Sequence, residues 1–188
     1  MLYLRSEAFA TGGVSDVVLS VPVSCNVSAT YDSEHAAVVS SGTYRANIGT
    51  TTFKTLCNDS NGYSIYAIGY SNEEYGNTKL LAALGGVLVP TYDIATGTAE
   101  NGATSNWAMK MTAVAGTYAP TIGTDSSGSF SSYHAVPTKY TKVATLNSNT
   151  DATIGSSVQS TYAVYIASNQ PAGAYAGKVK YTMVYPDD

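Results

Sequence analysis

The chain has 188 residues, with nine lysines and arginines against thirteen aspartates and glutamates, and a formal net charge of −4. Nucleic-acid binding requires basic residues that cluster on one face, and the basic residues here are few and scattered, so nucleic acid is not an expected partner. The longest apolar run, residues 80–89, is divided by Gly85 and Gly86 and is too short to cross a bilayer as a helix, so no membrane insertion is expected.

The residue usage favours strands over helices. The chain is rich in tyrosine, threonine, serine, glycine, alanine and valine, and it contains 16 tyrosines and one tryptophan. Tyrosine, threonine and valine suit a pleated, half-buried surface, while glycine, asparagine and serine mark turns. We therefore predict an all-β protein. A chain of this length buries about 70% of its unfolded surface, so the core needs no metal and no cofactor is expected.

The first 13 residues form a leader that ends at Gly12 and Gly13. Leu2 and Leu4 alternate with polar residues, which favours a strand set off by a hinge; a disordered terminus is the alternative. We accordingly divide the chain into a leader or donor strand, residues 1–13, and a single β-sandwich domain, residues 14–188.

Two predicted strands carry one cysteine each. A period of two places alternate residues on one side of a pleat, so each cysteine shares a face with apolar residues or threonines. The residues on these two faces are Val17, Leu19, Val21, Val23 and Cys25 in the first strand and Thr51, Phe53, Thr55 and Cys57 in the second. We expect the two inward faces to meet and a disulfide to join Cys25 to Cys57; two buried free thiols are the alternative. Pro22 interrupts the first strand and indicates an edge, a bulge or a switch between sheets.

Turn signals divide the rest of the chain into further strands. Asn61-Gly62 predicts a hairpin into a strand over residues 63–70, and Gly85-Gly86 predicts a second hairpin. Residues 123–132 have the composition of a flexible loop. Further strands are expected around Trp107, Met109 and Met111 and over residues 139–145, 160–167 and 174–185. About eight to ten strands separated by turns predict a β-sandwich, with a closed barrel as the less favoured alternative.

Three segments carry a resemblance to a known group of proteins. The first is the strand from Leu19 to Ala29, which contains Cys25. The second is a threonine-rich strand, residues 50–57, followed by a polar turn and an aromatic strand. The third is Pro171-Ala-Gly-Ala-Tyr-Ala-Gly-Lys-Val-Lys-Tyr-Thr182, with Tyr185 near the end. In these segments the chain resembles bacterial fimbrial (pilin) subunits and spore-coat-U-like secreted domains, whereas residues 71–160 match no pattern of those families.

The resemblance implies an immunoglobulin-like antiparallel β-sandwich that is exported, with the two cysteines bonded. It also implies assembly into a homopolymer by β-strand donation between subunits. Residues 2–10 or 14–21 are then the candidate donors. The apolar residues that we assign to this assembly strand are Leu2, Leu4, Val14, Val17, Leu19 and Val21.

Signals for catalysis and for metal binding are weak. His134 follows Asp125 in sequence, but no G-x-S-x-G run places a nucleophilic serine, so we predict no enzymatic activity. Residues 58–62 resemble the start of a calcium loop, but the downstream glutamate is missing and a turn is the favoured interpretation. The two cysteines lack the paired spacing of zinc ligands.

We therefore predict an exported structural subunit of a bacterial surface filament or coat. The alternative is a monomeric surface adhesin or carbohydrate-binding module, in which Trp107 or exposed tyrosines stack on cell-surface glycans. Residues 1–13 lack the pattern of a secretory signal. Because the cysteine pair and the low charge favour export, we expect that such a signal has been removed and that the protein is extracellular.

Overall fold

The computed structural model describes residues 4–8, 15–19, 24–31, 40–71, 74–100, 102–150 and 153–185. These residues form strands joined by turns, with one 3-10 turn at Pro90–Tyr92 and no α-helix among them. The strands are β1 Leu4–Ala8, β2 Ser15–Leu19, β3 Cys25–Tyr31, β4 Thr43–Arg45, β5 Thr50–Cys57, β6 Tyr63–Ser71, β7 Glu74–Tyr75, β8 Leu81–Leu84, β9 Val87–Leu88, β10 Ala95–Thr96, β11 Asn106–Ala113, β12 Thr121–Ile122, β13 Thr124–Asp125, β14 Gly128–Ser129, β15 Thr141–Leu146, β16 Ser156–Ile166, β17 Ala174–Ala176 and β18 Lys178–Val184. The predicted all-β class is confirmed.

Two large sheets make up most of the structure. The first has the strand order β10-β11-β16-β5-β3, and β4 also pairs with β16. The second has the order β12-β15-β6-β18, and β7 pairs with β6. Apart from the parallel β10–β11 pair, neighbouring strands in these sheets run antiparallel.

The hydrophobic core lies between the two large sheets. The alternation in β5 buries Thr51, Phe53, Thr55 and Cys57, as the period of two predicts. From the other sheet, Tyr181 of β18 places its ring 4.6 Å from the ring of Phe53. Because contacts of this kind join the inner faces, the sheets pack as two layers around one core.

The disulfide between Cys25 and Cys57 is confirmed, but it lies within one sheet. Cys25 of β3 and Cys57 of β5 are directly opposite each other in an antiparallel pair. The two cysteine-bearing faces therefore lie side by side in the first sheet. The expectation that these two inward faces meet is thus corrected: the bond joins neighbouring strands.

The predicted hairpin at Asn61-Gly62 is wrong in its partners. The turn does follow β5 and lead into β6, but β5 belongs to the first sheet and β6 to the second. Gly62 has φ +75°, and a Cβ there would lie 1.8 Å from the Leu146 carbonyl oxygen. The turn therefore carries the chain from one layer to the other, pressed against the end of β15.

The middle of the chain contributes two small sheets. β8 and β9 form the hairpin predicted at Gly85-Gly86, and β17 pairs with the other side of β8. The segment expected to be a flexible loop contains the β13–β14 hairpin instead. Phe130 explains the difference, because its fully buried ring packs in the core and its carbonyl oxygen accepts a hydrogen bond from Met111.

The first predicted long strand is divided in the structure. β2 pairs with β1 as a separate two-stranded sheet, whereas β3 belongs to the first large sheet. Pro22, which predicts such an interruption, lies outside the described residues.

None of the helices in the described part of the chain is long and apolar enough to span a membrane.

Candidate functional site

A cleft of about 1500 Å³ opens between the two large sheets beside β18. Its floor comes from the inner faces of both sheets, and one long wall is the segment 170–181. The opposite wall includes Val27 of β3 and Ile48, which lies between β4 and β5. The floor residues are Phe53, Ile65, Trp107, Tyr162 and Val164. The lining is thus largely apolar, and it continues directly from the core.

The long wall presents a strand edge to the cleft. Every residue from Gln170 to Tyr181 contributes to the lining. One face of a strand would contribute only alternate residues, so the consecutive lining shows that the backbone itself borders the cleft. Within the described residues, β17 and β18 are each the last strand of their sheet. The cleft therefore runs along the sides of β17 and β18 that face away from β8 and β6.

The core is covered on one side of the molecule and open on the other. Met109, Met111 and Val143, on the far side from the cleft, are fully buried. On β18, the inward side chains of Val179, Tyr181 and Met183 are only partly buried, although they pack against the same core. Apolar side chains that face the core yet remain partly exposed show that the described residues cover the core incompletely beside β18.

Polar atoms in the cleft floor are satisfied by one another. The Tyr181 hydroxyl lies 2.9 Å from the Tyr162 hydroxyl and also contacts the Ser160 hydroxyl. Burial raises the pKa of Tyr181 well above its ordinary value, and the neighbouring Tyr162 phenol raises it further. The floor therefore presents carbon surface, and the raised pKa keeps the Tyr181 hydroxyl neutral at physiological pH.

Trp107 lies in the core at the floor of this cleft. Its ring is 4% exposed, and its indole N–H donates a hydrogen bond of 2.8 Å to the Thr78 carbonyl oxygen. A ring that stacks on sugars at a protein surface needs an exposed face. The placement of Trp107 therefore differs from the ligand-facing aromatic that the sequence predicts.

Residues of the middle segment, 71–160, which resembles no part of the fimbrial families, close one end of the cleft. Leu80 and Ile94 line it and pair through two backbone hydrogen bonds of 2.9 Å each. Gln170 ties this region to the long wall, because its side-chain amide donates to the Tyr92 carbonyl oxygen and the Tyr175 hydroxyl. Sequence reasoning misses these residues, since nothing in a short apolar run tells which distant strand it will cover.

The structure places only part of the predicted assembly strand. In the β1–β2 pair, Leu4 is opposite Leu19, and Val17 is opposite Ser6. Leu2, Val14 and Val21 lie outside the described residues. The two candidate donor segments therefore pair with each other here, and no described strand lies in the cleft beside β18.

His134 and Asp125 do come together, but without the geometry of a nucleophilic site. The His134 Nε2 atom lies 3.1 Å from Asp125 Oδ1, and Nδ1 lies 3.0 Å from the Ala135 carbonyl oxygen. Both ring nitrogens thus face acceptors other than a serine hydroxyl within the described residues, whereas a catalytic triad requires the imidazole to face such a hydroxyl. The pair holds residues 123–136 together, with the Phe130 ring 4.5 Å from the imidazole.

The segment 58–62 uses its oxygens to build a turn. Asp59 is buried, and its Oδ1 atom accepts a hydrogen bond of 2.8 Å from the Asn61 backbone N–H. Asn58 accepts a hydrogen bond of 2.6 Å from the Ser24 backbone N–H. In the described part of the chain, no group of three histidine, cysteine, aspartate or glutamate residues is arranged to hold a metal ion.

The cleft beside β18 is therefore a feature for which the described strands offer no occupant. Its walls supply a strand edge and a continuous apolar floor, which together suit an extended segment better than a compact polar ligand. Comparison with protein-family models, with curated proteins and with solved structures finds no match for this chain.

Proposed function

We propose that this protein is an exported structural subunit that polymerises by inserting an extended segment of one copy into the cleft of the next. The observation that carries this proposal is the cleft along the edge of β18, where the core side chains of β18 are only partly buried. An added strand supplies backbone partners for the edge and apolar side chains for the floor. In this proposal the domain is an immunoglobulin-like, pilin-type sandwich that lacks one strand.

The donor in this proposal is the segment around β2. Val17, Leu19 and Val21 have the two-residue spacing that lets one face of a strand enter an apolar floor. β1 and β2 form a two-stranded sheet of their own, and isolated two-stranded ribbons have marginal stability. In this proposal the segment exchanges its pairing with β1 for a place beside β18, where its apolar residues meet the apolar floor of the cleft.

The disulfide supports the proposed location outside the cell. Disulfides persist in oxidising compartments and are rare in the cytosol of most organisms. Cys25 and Cys57 join β3 to β5, close to the point where the chain leaves β2. The bond thus anchors the domain next to the segment that is donated, so that transfer of this segment does not unravel the first sheet.

The acceptor cleft is tested by a matched pair of substitutions. Val27 lines the cleft and is 38% exposed, whereas Val114 is equally exposed but is not part of the lining. We expect Val27→Asp to abolish filaments in electron micrographs and to leave monomers on size exclusion, because a charge in an apolar groove loses its solvation. Val114→Asp should polymerise normally. Equal polymerisation of both variants would contradict the proposal.

The donor is tested in the same assay by mixing. The double substitution Val17→Asp with Leu19→Asp removes the donor but leaves the cleft intact, whereas Val27→Asp does the reverse. Neither variant should polymerise alone, and a mixture should give a heterodimer because only one productive contact remains. A wild-type chain that stays monomeric at high concentration, or a mixture without heterodimers, would overturn strand donation from β2.

A further inference from the structure

The outer face of the second sheet carries a cluster of tyrosines and lysines. Cross-strand partners lie on the same side of a sheet, and alternate residues of a strand lie on opposite sides. Since Val179, Tyr181 and Met183 face the core, Lys178 and Lys180 face outward. We name this surface the tyrosine–lysine face, and its members are Tyr66, Tyr70, Tyr75, Tyr140, Lys142, Lys178 and Lys180.

The strand register arranges these side chains in rows. Tyr75, Tyr70 and Lys178 lie side by side on β7, β6 and β18. Four residues away from Tyr70 on β6, Tyr66 lies beside Lys142 of β15. Three of the nine basic residues of a net acidic chain therefore project from this one face. The chain thus concentrates positive charge on a face that the core does not require.

The rings form an exposed aromatic platform. The Tyr70 and Tyr75 ring centroids are 4.7 Å apart, and those of Tyr75 and Tyr140 are 6.4 Å apart. Tyr75 is 53% exposed and Tyr140 is 48% exposed, although large aromatic rings usually contribute more to stability when buried. Three neighbouring rings, two of them half-exposed, offer apolar faces edged with hydroxyl groups, which match the C–H faces and hydroxyls of sugar rings.

The lysines are held against these rings. The Lys180 ammonium lies 4.7 Å above the Tyr75 ring and 3.1 Å from its hydroxyl, and the Lys178 ammonium lies 5.5 Å from the Tyr70 ring centroid. Contacts with the Tyr75 and Tyr140 hydroxyls raise the pKa of Lys180, which keeps this amine charged at physiological pH. The positive charges are therefore positioned over two rings of the aromatic platform, Lys180 over Tyr75 and Lys178 over Tyr70.

We propose that the tyrosine–lysine face binds an acidic polysaccharide, with the tyrosine rings stacking on sugar rings and the ammonium groups pairing with their carboxylate or sulfate groups. Charge complementarity selects an anionic partner. The basic side chains of this face in the described part of the chain are lysines, which lack the two-pronged grip on phosphate that arginine provides. The exposed tyrosine rings can stack on sugar rings. They should therefore favour an acidic polysaccharide over an acidic polymer that contains no rings.

This proposal is independent of polymerisation. The cleft opens at the inner side and along the edge of β18, where Lys178 and Lys180 also contribute to its lining, whereas the tyrosine rings of the tyrosine–lysine face lie on the outer side of the sheet. The Val27→Asp variant, which should remain monomeric, keeps every residue of the face. Binding to polysaccharide and assembly into filaments can thus fail separately.

The test measures binding of the full chain to heparin and to alginate by isothermal titration calorimetry, at about 0.15 M salt so that weak surface charge effects are screened. Neutral dextran and polyglutamate serve as the comparison polymers. We expect heparin or alginate to bind and dextran not to bind. Polyglutamate should bind at least about tenfold more weakly than the preferred polysaccharide, because it cannot stack on the rings.

Two double variants separate charge from stacking. Lys178→Gln with Lys180→Gln and Tyr75→Ala with Tyr140→Ala should each weaken polysaccharide binding about tenfold or more. Their controls change the same residue types elsewhere: Lys54→Gln with Lys110→Gln on the first sheet, and Tyr44→Ala with Tyr92→Ala, whose rings are 45% and 44% exposed. Thermal melts followed by circular dichroism check that each variant is folded.

Three results would overturn the proposal. The first is no binding to either acidic polysaccharide. The second is an unchanged affinity in a folded Tyr75→Ala, Tyr140→Ala variant, which would reduce the effect to simple charge attraction. The third is an equal loss of affinity in the matched control variants, which would place binding elsewhere on the surface.

Discussion

At the residue scale, single side chains and backbone angles decide where this chain turns and how its core is sealed. Gly62 is the clearest case, because it combines φ +75° with a close approach to the Leu146 carbonyl oxygen. Gly86 has a similar angle, φ +84°, but nothing lies within 4 Å of the position of its absent Cβ. The two glycines therefore separate the effect of backbone strain from the effect of crowding.

We predict that Gly62→Ala destabilises the protein far more than Gly86→Ala. An alanine in the left-handed region costs about 1 kcal/mol, and at Gly62 the added Cβ must also displace the end of β15 from its place beside β6. The free energy of unfolding from urea titration measures both effects. Equal losses in the two variants would show that crowding against Leu146 contributes nothing.

At the element scale, the register of paired strands determines which faces meet. β3 and β5 are joined by ladder hydrogen bonds and by the disulfide, which closes a loop with a sequence separation of 32 residues. β3 is the last strand of its sheet in the described part of the chain, and it lies next to the donated segment in our proposal. Among the described strands, ladder hydrogen bonds attach β3 to the sheet only on the side of β5. The disulfide therefore adds a covalent attachment to a strand at the edge of the sheet.

Replacing Cys25 and Cys57 together by serine should lower the free energy of unfolding by about 3–4 kcal/mol in the chain-entropy model, because the unfolded chain regains the entropy of the open loop. Urea unfolding of the double variant and of the oxidised wild type measures this difference. Wild type treated with a reductant should lose a similar amount. A stability that does not change on reduction would contradict the assigned role of the bond.

At the scale of the whole molecule, two packed sheets leave one side of their shared core open. β6 and β16 have partner strands on both sides, whereas β18 is paired with β6 alone among the described strands. An edge strand exchanges its amide hydrogens through local opening more readily than a central strand does. The same edge becomes central when a donated strand is added.

Hydrogen exchange followed by mass spectrometry should therefore show fast exchange in β18 and slow exchange in β6 and β16 of the monomeric Val27→Asp variant. In wild-type filaments, β18 should become as protected as β6. The β13–β14 hairpin, which is remote from the cleft lining, serves as the internal control and should not change between the two states. An unchanged exchange rate in β18 would count against strand addition at this edge.

The sequence by itself determined the strands and their faces, because a pleat repeats every two residues and burial follows that period. It predicted the buried faces of β5 and β11, the turn at Gly85-Gly86 and the cysteine pair. Only the tertiary structure decided that β5 and β6 belong to different sheets, that Trp107 is buried and that Phe130 anchors a supposed loop. These outcomes depend on contacts between residues far apart in the chain, and local periodicity contains no information about which distant strand a face will meet. The open cleft beside β18 and the tyrosine–lysine face behind it depend on such contacts as well.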